Sequence, residues 1–208
     1  MKKSRKFLIL CAAAVAALLA GCGKLDDVDR TTVYVDPENG VVQEAIVEEY
    51  TDEDTYSENE LEAFVQEDAA AYNEEAGADS VTVSGVKVSG DEVRILLRYA
   101  DSSAYAGYHL TDFFAGTLAE AQEAGYDFSG TLLDPEGEAT AASDLLSGHP
   151  DYHEVIFEEP VQILTDSPVL YVSSNVVIRS ETTAEVTEDN VNQEVGVVTS
   201  EKAYVIYE

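Results

Sequence analysis

Hydrophobic and polar positions alternate along several stretches of this chain with the two-residue period of a half-buried β-strand. The first two stretches, Thr31–Asp36 and Val41–Glu48, are separated by Pro37-Glu38-Asn39-Gly40. Proline presets an early turn position, and Asn-Gly accepts the left-handed conformation that follows it. The pattern therefore predicts a β-hairpin over residues 31–48.

A second hairpin is predicted over residues 80–99. Val81 and Val83 share one phase of the alternation and Val86 falls in the other, so we expect a β-bulge at Gly85. A tight turn at Ser89-Gly90 is expected to join the two strands. This turn would pair Val86 with Val93 inside and Lys87 with Glu92 outside.

The outer face of this hairpin carries a candidate basic patch, made of Lys87, Arg94 and Arg98. One interpretation is a landing site for an anionic ligand or partner. The alternative is that the three side chains pair with neighbouring acids or protect a sheet edge from aggregation.

Helical spacing and start signals predict one long helix, at about residues 58–76. Ser57-Glu58-Asn59-Glu60 is a capping box, in which Ser57 and Glu60 each satisfy a backbone N–H of the first turn. Four apolar side chains fall on one stripe that should face the core: Leu61, Phe64, Val65 and Tyr72. A second capping box at Thr117 predicts a short helix ending at Gly125, and residues 142–146 predict another helical turn.

The last third of the chain is rich in strand patterns, and its final run, Ala203–Tyr207, is apolar on both faces. That composition predicts a central strand covered on two sides. Together the patterns predict an α+β fold: a mostly antiparallel sheet built from hairpins, packed by the long helix and by one or two short helices. No internal repeat divides residues 31–208, so we expect a single domain there.

The start of the chain has the pattern of a secretory signal. Lys2, Lys3, Arg5 and Lys6 form a positive region, and the apolar stretch from Phe7 to Ala20 follows, with small residues at its end. The apolar stretch has 14 residues, which is short for a membrane span of about 20.

Leu19-Ala20-Gly21-Cys22 resembles the lipobox of bacterial lipoproteins, and the chain as a whole is similar to small uncharacterised lipoproteins of anaerobic Firmicutes. The resemblance implies that residues 1–21 are removed and that the Cys22 sulfur carries a diacylglycerol. It also implies an anchor on the outer face of the cytoplasmic membrane. Cys22 would then be the only cysteine of the mature chain, since Cys11 leaves with the leader.

Residues 22–30 are expected to form a lipid-anchored tether between Cys22 and the first strand. Eight residues, from Gly23 to Arg30, reach at most about 28 Å when fully extended. The domain should therefore lie close above the bilayer.

Charge narrows the set of partners. Four of the 11 basic residues and none of the 42 acidic residues lie in the leader, so the mature chain carries seven basic residues and a net charge of −35. Such acidity argues against nucleic-acid binding. It also argues against the domain lying flat on an anionic membrane.

No catalytic motif is present, so we expect no catalytic residue and no cofactor. His149 and His153 have the spacing of two metal ligands on a helix, but Pro150 disfavours a helix there, and we expect no metal site.

The expected function is a membrane-anchored interaction or envelope-associated binding module, with a membrane-proximal protein or small ligand as partner. The alternatives are a solute- or cation-binding lipoprotein and an enzyme that uses paired carboxylates. The 12 tyrosines could line a carbohydrate or peptide groove, or they could be ordinary strand residues.

Overall fold

A computed structural model describes residues 22–50, 56–187, 191–192, 197–198 and 202–208. Within these residues the chain forms four α-helices: α1 (Glu58–Ala76), α2 (Ser102–His109), α3 (Leu118–Ala124) and α4 (Ala142–Gly148). Its strands are, in chain order, β1 (Thr32–Val35), β2 (Val42–Glu49), β3 (Val81–Ser89), β4 (Glu92–Tyr99), β5 (Phe113–Thr117), β6 (Thr131–Leu133), β7 (Ala139–Ala141), β8 (His153–Phe157), β9 (Gln162–Leu164), β10 (Val169–Val172), β11 (Val176–Ser180), β12 (Thr183–Val186), β13 (Val191–Asn192), β14 (Val197–Val198) and β15 (Ala203–Tyr207).

The strands form two large sheets and a two-stranded ribbon. The first sheet has the order β11-β12-β9-β1-β2-β4-β3, and the second has the order β5-β8-β15-β10-β6-β7. Strands β13 and β14 pair with each other. The α+β class and the mostly antiparallel pairing expected from the sequence are confirmed, with β1 and β9 forming a parallel pair.

The main core lies between the two sheets. It contains alternate residues of both, such as Val33 and Leu97 from the first sheet and Val155 and Val205 from the second. The outer face of the second sheet carries a separate core under α3 and α4, which includes Leu118 and Leu145. β15 pairs with β8 on one side and β10 on the other, as its two apolar faces predicted.

Helix α1 begins at the predicted capping box. The Ser57 side chain accepts from the Glu60 backbone N–H, and the Glu60 side chain accepts from the Ser57 backbone N–H. Val65 and Ala69 are buried and Tyr72 packs at the edge of the core, but Phe64 is 67% exposed, so its predicted place on the buried stripe is wrong. Phe64 lies one position from the Val65 row, and 100° of rotation per residue carries its side chain away from the sheet.

The second hairpin is present with a different register. β3 shifts between Val83 and Gly85, where the bulge was predicted. The turn lies at Gly90-Asp91, with Gly90 at a φ of +66°, and not at Ser89-Gly90. Moving the turn by one residue pairs Lys87 with Arg94 instead of Glu92.

Residues 22–30, expected from the sequence to be a lipid-anchored tether, pack against the first sheet. After a short 3-10 helix at Cys22–Lys24, Leu25 is 1% exposed and packs on Tyr34 and Ala45 on the outer face of the first sheet. An apolar side chain gains more from this burial than from exposure in a solvated linker. Residues 1–21, which include the predicted leader and Leu19, Ala20 and Gly21, lie outside the described residues.

None of the described helices is long and apolar enough to cross a membrane.

Candidate functional site

The three residues of the candidate basic patch all lie on the outer face of the first sheet. Lys87 and Arg94 are direct cross-strand partners, and Arg98 pairs with Gln43 on β2. Ile95 and Leu97, which alternate with the two arginines, face the main core. The three basic residues therefore lie on one face of the sheet, as the sequence predicted.

Arg94 does not act as a free cation within this patch. Its guanidinium donates to the carbonyl oxygens of Leu25 at 3.0 Å and Val28 at 2.6 Å, and it pairs with Glu92 at 3.0 Å. These bonds hold residues 25–28 against the sheet. Lys87 is exposed, and neither Lys87 nor Arg98 has a side-chain hydrogen bond or ion pair within the described part of the chain.

The two histidines weighed as metal ligands are held apart by separate ring stacks. His149 stacks on Tyr152, with centroids 4.4 Å apart, and His153 stacks on Tyr207 at 5.4 Å. Across the described ranges, no group of three or more His, Cys, Asp or Glu side chains could hold a metal ion.

The third histidine belongs to a buried polar cluster that we call the His109 cluster: Glu44, Tyr99, Tyr105, His109 and Glu159. The Tyr99 hydroxyl donates to Glu44 Oε2 at 2.6 Å, and His109 Nε2 lies 2.8 Å from that hydroxyl and 3.0 Å from the same carboxylate oxygen. Glu159 Oε1 lies 3.8 Å from His109 Nδ1, and Tyr105 donates to Glu159 Oε2 at 2.9 Å. The imidazole is thus flanked by two carboxylates.

This arrangement favours a protonated imidazole. Burial alone would lower the pKa of His109, but the hydrogen bond and charge of Glu44, together with the charge of Glu159, raise it above its ordinary value. Burial raises the pKa of Glu159, against the opposing effect of His109 and Tyr105. Tyr99 and Tyr105 have no exposed surface and Glu44 has 2%, so the cluster ties α2 to β2, β4 and the segment after β8. The geometry of the His109 cluster therefore fits a structural role, in which it stabilises the packing of these elements.

A groove on the outer side of the second sheet has the dimensions of a ligand site. Two adjoining cavities, of about 620 and 510 Å³, share Asp127, Lys202 and Tyr204. Pockets for small ligands usually have volumes of about 300–1,000 Å³. We call this region the Lys202 groove.

Short connections between strands and helices supply most of its polar groups. Asp127 and Ser129 lie in the turn after α3, where both carboxylate oxygens of Asp127 accept from Ser129. Ser173 lies directly after β10, and its hydroxyl accepts from the Tyr204 backbone N–H at 2.9 Å. This bond joins the turn after β10 to the strand that carries Tyr204.

Lys202 is the cation of the groove, and acidic and aromatic groups surround it. Its ammonium pairs with Asp112 and with Glu158 Oε1, the latter at 3.2 Å, and lies 5.6 Å from the centroid of the Tyr126 ring. Tyr126 in turn donates to Asp112 at 2.7 Å. Burial alone would lower the pKa of Lys202, but Asp112 and Glu158 raise it, so the amine stays charged.

The groove offers many hydrogen-bonding groups and two tyrosine rings. Ser129, Thr131, Ser173 and Ser174 contribute hydroxyls, and Asp127 and Glu158 contribute carboxylates. Such a lining can exchange hydrogen bonds with several ligand hydroxyls, while Tyr126 and Tyr204 offer ring surface to its C–H groups.

No sequence pattern indicated this groove, because Asp112 and Asp127 lie far along the chain from Lys202 and Tyr204. One signal was present: Lys202 is the single basic residue after Arg179 in an acidic segment. It also directly precedes the strand that the sequence placed at the centre of a sheet. Periodicity cannot show which loops converge on such a strand.

Comparison with known proteins returned no match: no protein-family model, no curated protein and no solved structure is significantly similar to this chain.

Proposed function

We propose that this protein is a lipid-anchored extracytoplasmic binding module that holds a small polyhydroxylated molecule, such as a saccharide, in the Lys202 groove. The anchor rests on the lipobox resemblance at Leu19-Ala20-Gly21-Cys22. The binding function rests on one observation, the groove of about 620 Å³ lined by hydroxyls, carboxylates, Lys202 and a tyrosine ring.

The charge of the groove narrows the class of ligand. Lys202 is already neutralised by Asp112 and Glu158, and Asp127 adds a further negative charge. An anionic ligand would therefore be repelled by like charge. A neutral sugar or an amino sugar would form hydrogen bonds without this penalty.

The first experiment is a thermal-shift screen of the full-length protein in detergent against a panel of mono- and disaccharides that includes amino sugars. A ligand that binds the native state raises the melting temperature, and at about 100 times its Kd the stabilisation is about 2.7 kcal/mol. We expect at least one saccharide to produce a concentration-dependent rise. A panel that leaves the melting temperature unchanged at saturating concentrations would contradict the proposal.

A pair of variants then locates the binding. Tyr204→Leu removes a ring that lines the groove, and Tyr171→Leu removes a half-buried ring elsewhere on the same sheet. We expect Tyr204→Leu to weaken binding of the saccharide found in the screen by about tenfold, as for other well-packed aromatic contacts. Tyr171→Leu should leave the affinity unchanged, and equal losses in the two variants would place the ligand outside the groove.

A further inference from the structure

The basic residues of this acidic protein are concentrated on one face. Of the seven basic residues after the leader, six lie on or against the outer face of the first sheet: Lys24, Arg30, Lys87, Arg94, Arg98 and Arg179. The seventh, Lys202, lies in the groove on the opposite side of the molecule. We call this surface the basic face.

The placement follows from the pairing of the strands. Arg30 and Arg179 both pair with Glu185 on β12. Glu185 lies between Ala184 and Val186, which face the main core, so its own side chain is on the outer face. Lys24 donates to the Tyr34 hydroxyl at 3.1 Å and pairs with Asp166. All of these contacts are made on the side of the sheet that points away from the main core.

Charge is therefore distributed very unevenly over the protein. Nine acidic side chains lie on or beside the basic face, against its six basic ones: Asp26, Asp27, Asp29, Glu48, Glu49, Asp91, Glu92, Asp166 and Glu185. Among the described residues the face therefore has a small negative charge. Most of the other acidic residues that the structure describes lie away from this face, where Lys202 is the single basic residue, so that side of the described molecule is far more negative.

The chain also leads to Cys22 at this same face. Leu25 is buried against the sheet and Arg94 holds the carbonyls of Leu25 and Val28. Three peptide links separate Cys22 from Leu25, and they span at most about 11 Å. A lipid on Cys22 would bring the basic face to within that distance of the bilayer surface.

We propose that the basic face lies against a bilayer that contains anionic phospholipids and so sets the orientation of the anchored protein. This proposal rests on the lipid anchor of the proposed function. The acidity that argues against contact with an anionic bilayer is concentrated on the other side of the molecule, so the field of the bilayer repels that side more strongly than the basic face. Lys87 and Arg98 are the cations left to contact lipid phosphates, which a guanidinium can bind through two hydrogen bonds. The Lys202 groove then faces outward, away from the membrane.

Fluorescence quenching in vesicles tests the orientation. The full-length lipidated protein carries a probe at Thr82→Cys, which is exposed next to Arg98, or at Ser143→Cys, which is exposed on α4. Because Cys22 is acylated, the introduced cysteine is the only reactive thiol of the mature chain in each variant. With spin-labelled lipids in vesicles of phosphatidylglycerol and phosphatidylcholine, we expect strong quenching at residue 82 and little at residue 143. Equal quenching at the two positions would overturn the proposal.

Matched charge variants test the cause. The double variant Lys87→Gln, Arg98→Gln removes two positive charges from the basic face. The double variant Gln122→Glu, Ser147→Glu makes the same change of −2 in net charge on the helices that cover the second sheet. We expect the first pair to reduce the quenching difference severalfold and the second to leave it unchanged. The difference should also shrink in vesicles of phosphatidylcholine alone and at high salt. A difference unaffected by lipid charge would show that a tether, and not electrostatics, orients the protein.

The anchor itself is tested separately by Cys22→Ala. We expect this variant to leave the membrane fraction, while Lys87→Gln with Arg98→Gln stays in it. A Cys22→Ala protein that remains membrane-bound would contradict the lipid anchor. A released Cys22→Ala protein combined with equal quenching at residues 82 and 143 would contradict the orientation alone.

Discussion

Glu154 is an unusual residue in this structure. Its side chain is 0% exposed on the outer face of β8, and neither carboxylate oxygen has a hydrogen-bond partner among the residues that the structure describes. Burial raises the pKa of Glu154 to about 8, so the group is largely protonated at neutral pH. A carboxylate in this position would be an uncompensated charge in an apolar core, which is why the neutral form is favoured.

This pKa makes the stability of the protein depend on pH in a predictable direction. At a pH well below 4.5, the ordinary pKa of glutamate, Glu154 is protonated in both the folded and the unfolded protein, so its ionisation does not affect stability. As the pH rises from about 4.5 towards 8, the unfolded chain releases the proton while the folded chain retains it, so the free energy of unfolding falls. A pKa raised from 4.5 to about 8 corresponds to a total loss of about 5 kcal/mol.

Glu154→Gln removes this titration and keeps the shape of the side chain. Between pH 5 and pH 8, we expect the unfolding free energy of the original protein to fall by several kcal/mol relative to that of Glu154→Gln. Urea unfolding at the two pH values measures it, with the exposed Glu123→Gln as control. Parallel pH profiles for the original protein and Glu154→Gln would contradict this account.

At the scale of elements, the segment before β1 has the most unexpected role. The sequence indicated a tether because eight residues, Gly23 to Arg30, precede the first strand pattern. Leu25 and Val28 are nevertheless enough to fix it, since they cover apolar side chains on the outer face of the first sheet. Only the assembled sheet provides that surface, and no local pattern could indicate it.

Arg94→Met should release this segment. The substitution removes two hydrogen bonds to backbone carbonyls and keeps an unbranched side chain, and we expect a loss of about 1–3 kcal/mol of unfolding free energy. Limited proteolysis should cut within residues 22–30 faster than in the original protein. Arg98→Met, four residues further along the chain on the same face, should leave the cleavage rate unchanged. Equal protection of the segment in the two variants would show that Leu25 alone holds it.

At the scale of the whole molecule, charge repulsion is the main electrostatic fact. With 42 acidic and 11 basic residues in the full sequence, the compact state holds many like charges within a small volume. Net charge far from zero destabilises a folded protein through self-repulsion, and salt screens that repulsion over about 10 Å at 0.1 M. The few ion pairs of the basic face oppose this effect only locally.

We therefore expect sodium chloride to stabilise the protein. Raising its concentration from about 0.01 M to 0.5 M should raise the melting temperature by several degrees, since 1 kcal/mol corresponds to about 2–4 °C at this size. Calorimetry measures the shift. At a pH of about 4, where most carboxylates are near their pKa values, the shift should become much smaller. A melting temperature that falls with salt at neutral pH would show that ion pairs outweigh the repulsion.

Much of the local structure was predictable from the sequence because its signals are short. The capping boxes at Ser57 and Thr117, the bulge at Gly85 and the central strand Ala203–Tyr207 each depend on residues within one turn or one strand. The face that carries Lys87, Arg94 and Arg98 was predictable for the same reason, since alternation alone places side chains above or below a sheet. Strand β5 was not anticipated, because no strong periodic signal marks it.

The sequence by itself determined the secondary structure class, the acidity and the lipobox-like start of the chain, because these depend on neighbouring residues or on composition. Only the tertiary structure decided that two sheets enclose one core, that Leu25 binds to the outer face and that Lys202, Tyr204 and Asp127 meet in a groove. Those outcomes depend on contacts between residues distant in the chain, and burial of apolar area selects them without leaving a local pattern. The position of Cys22 beside the face with most of the cations is the clearest case.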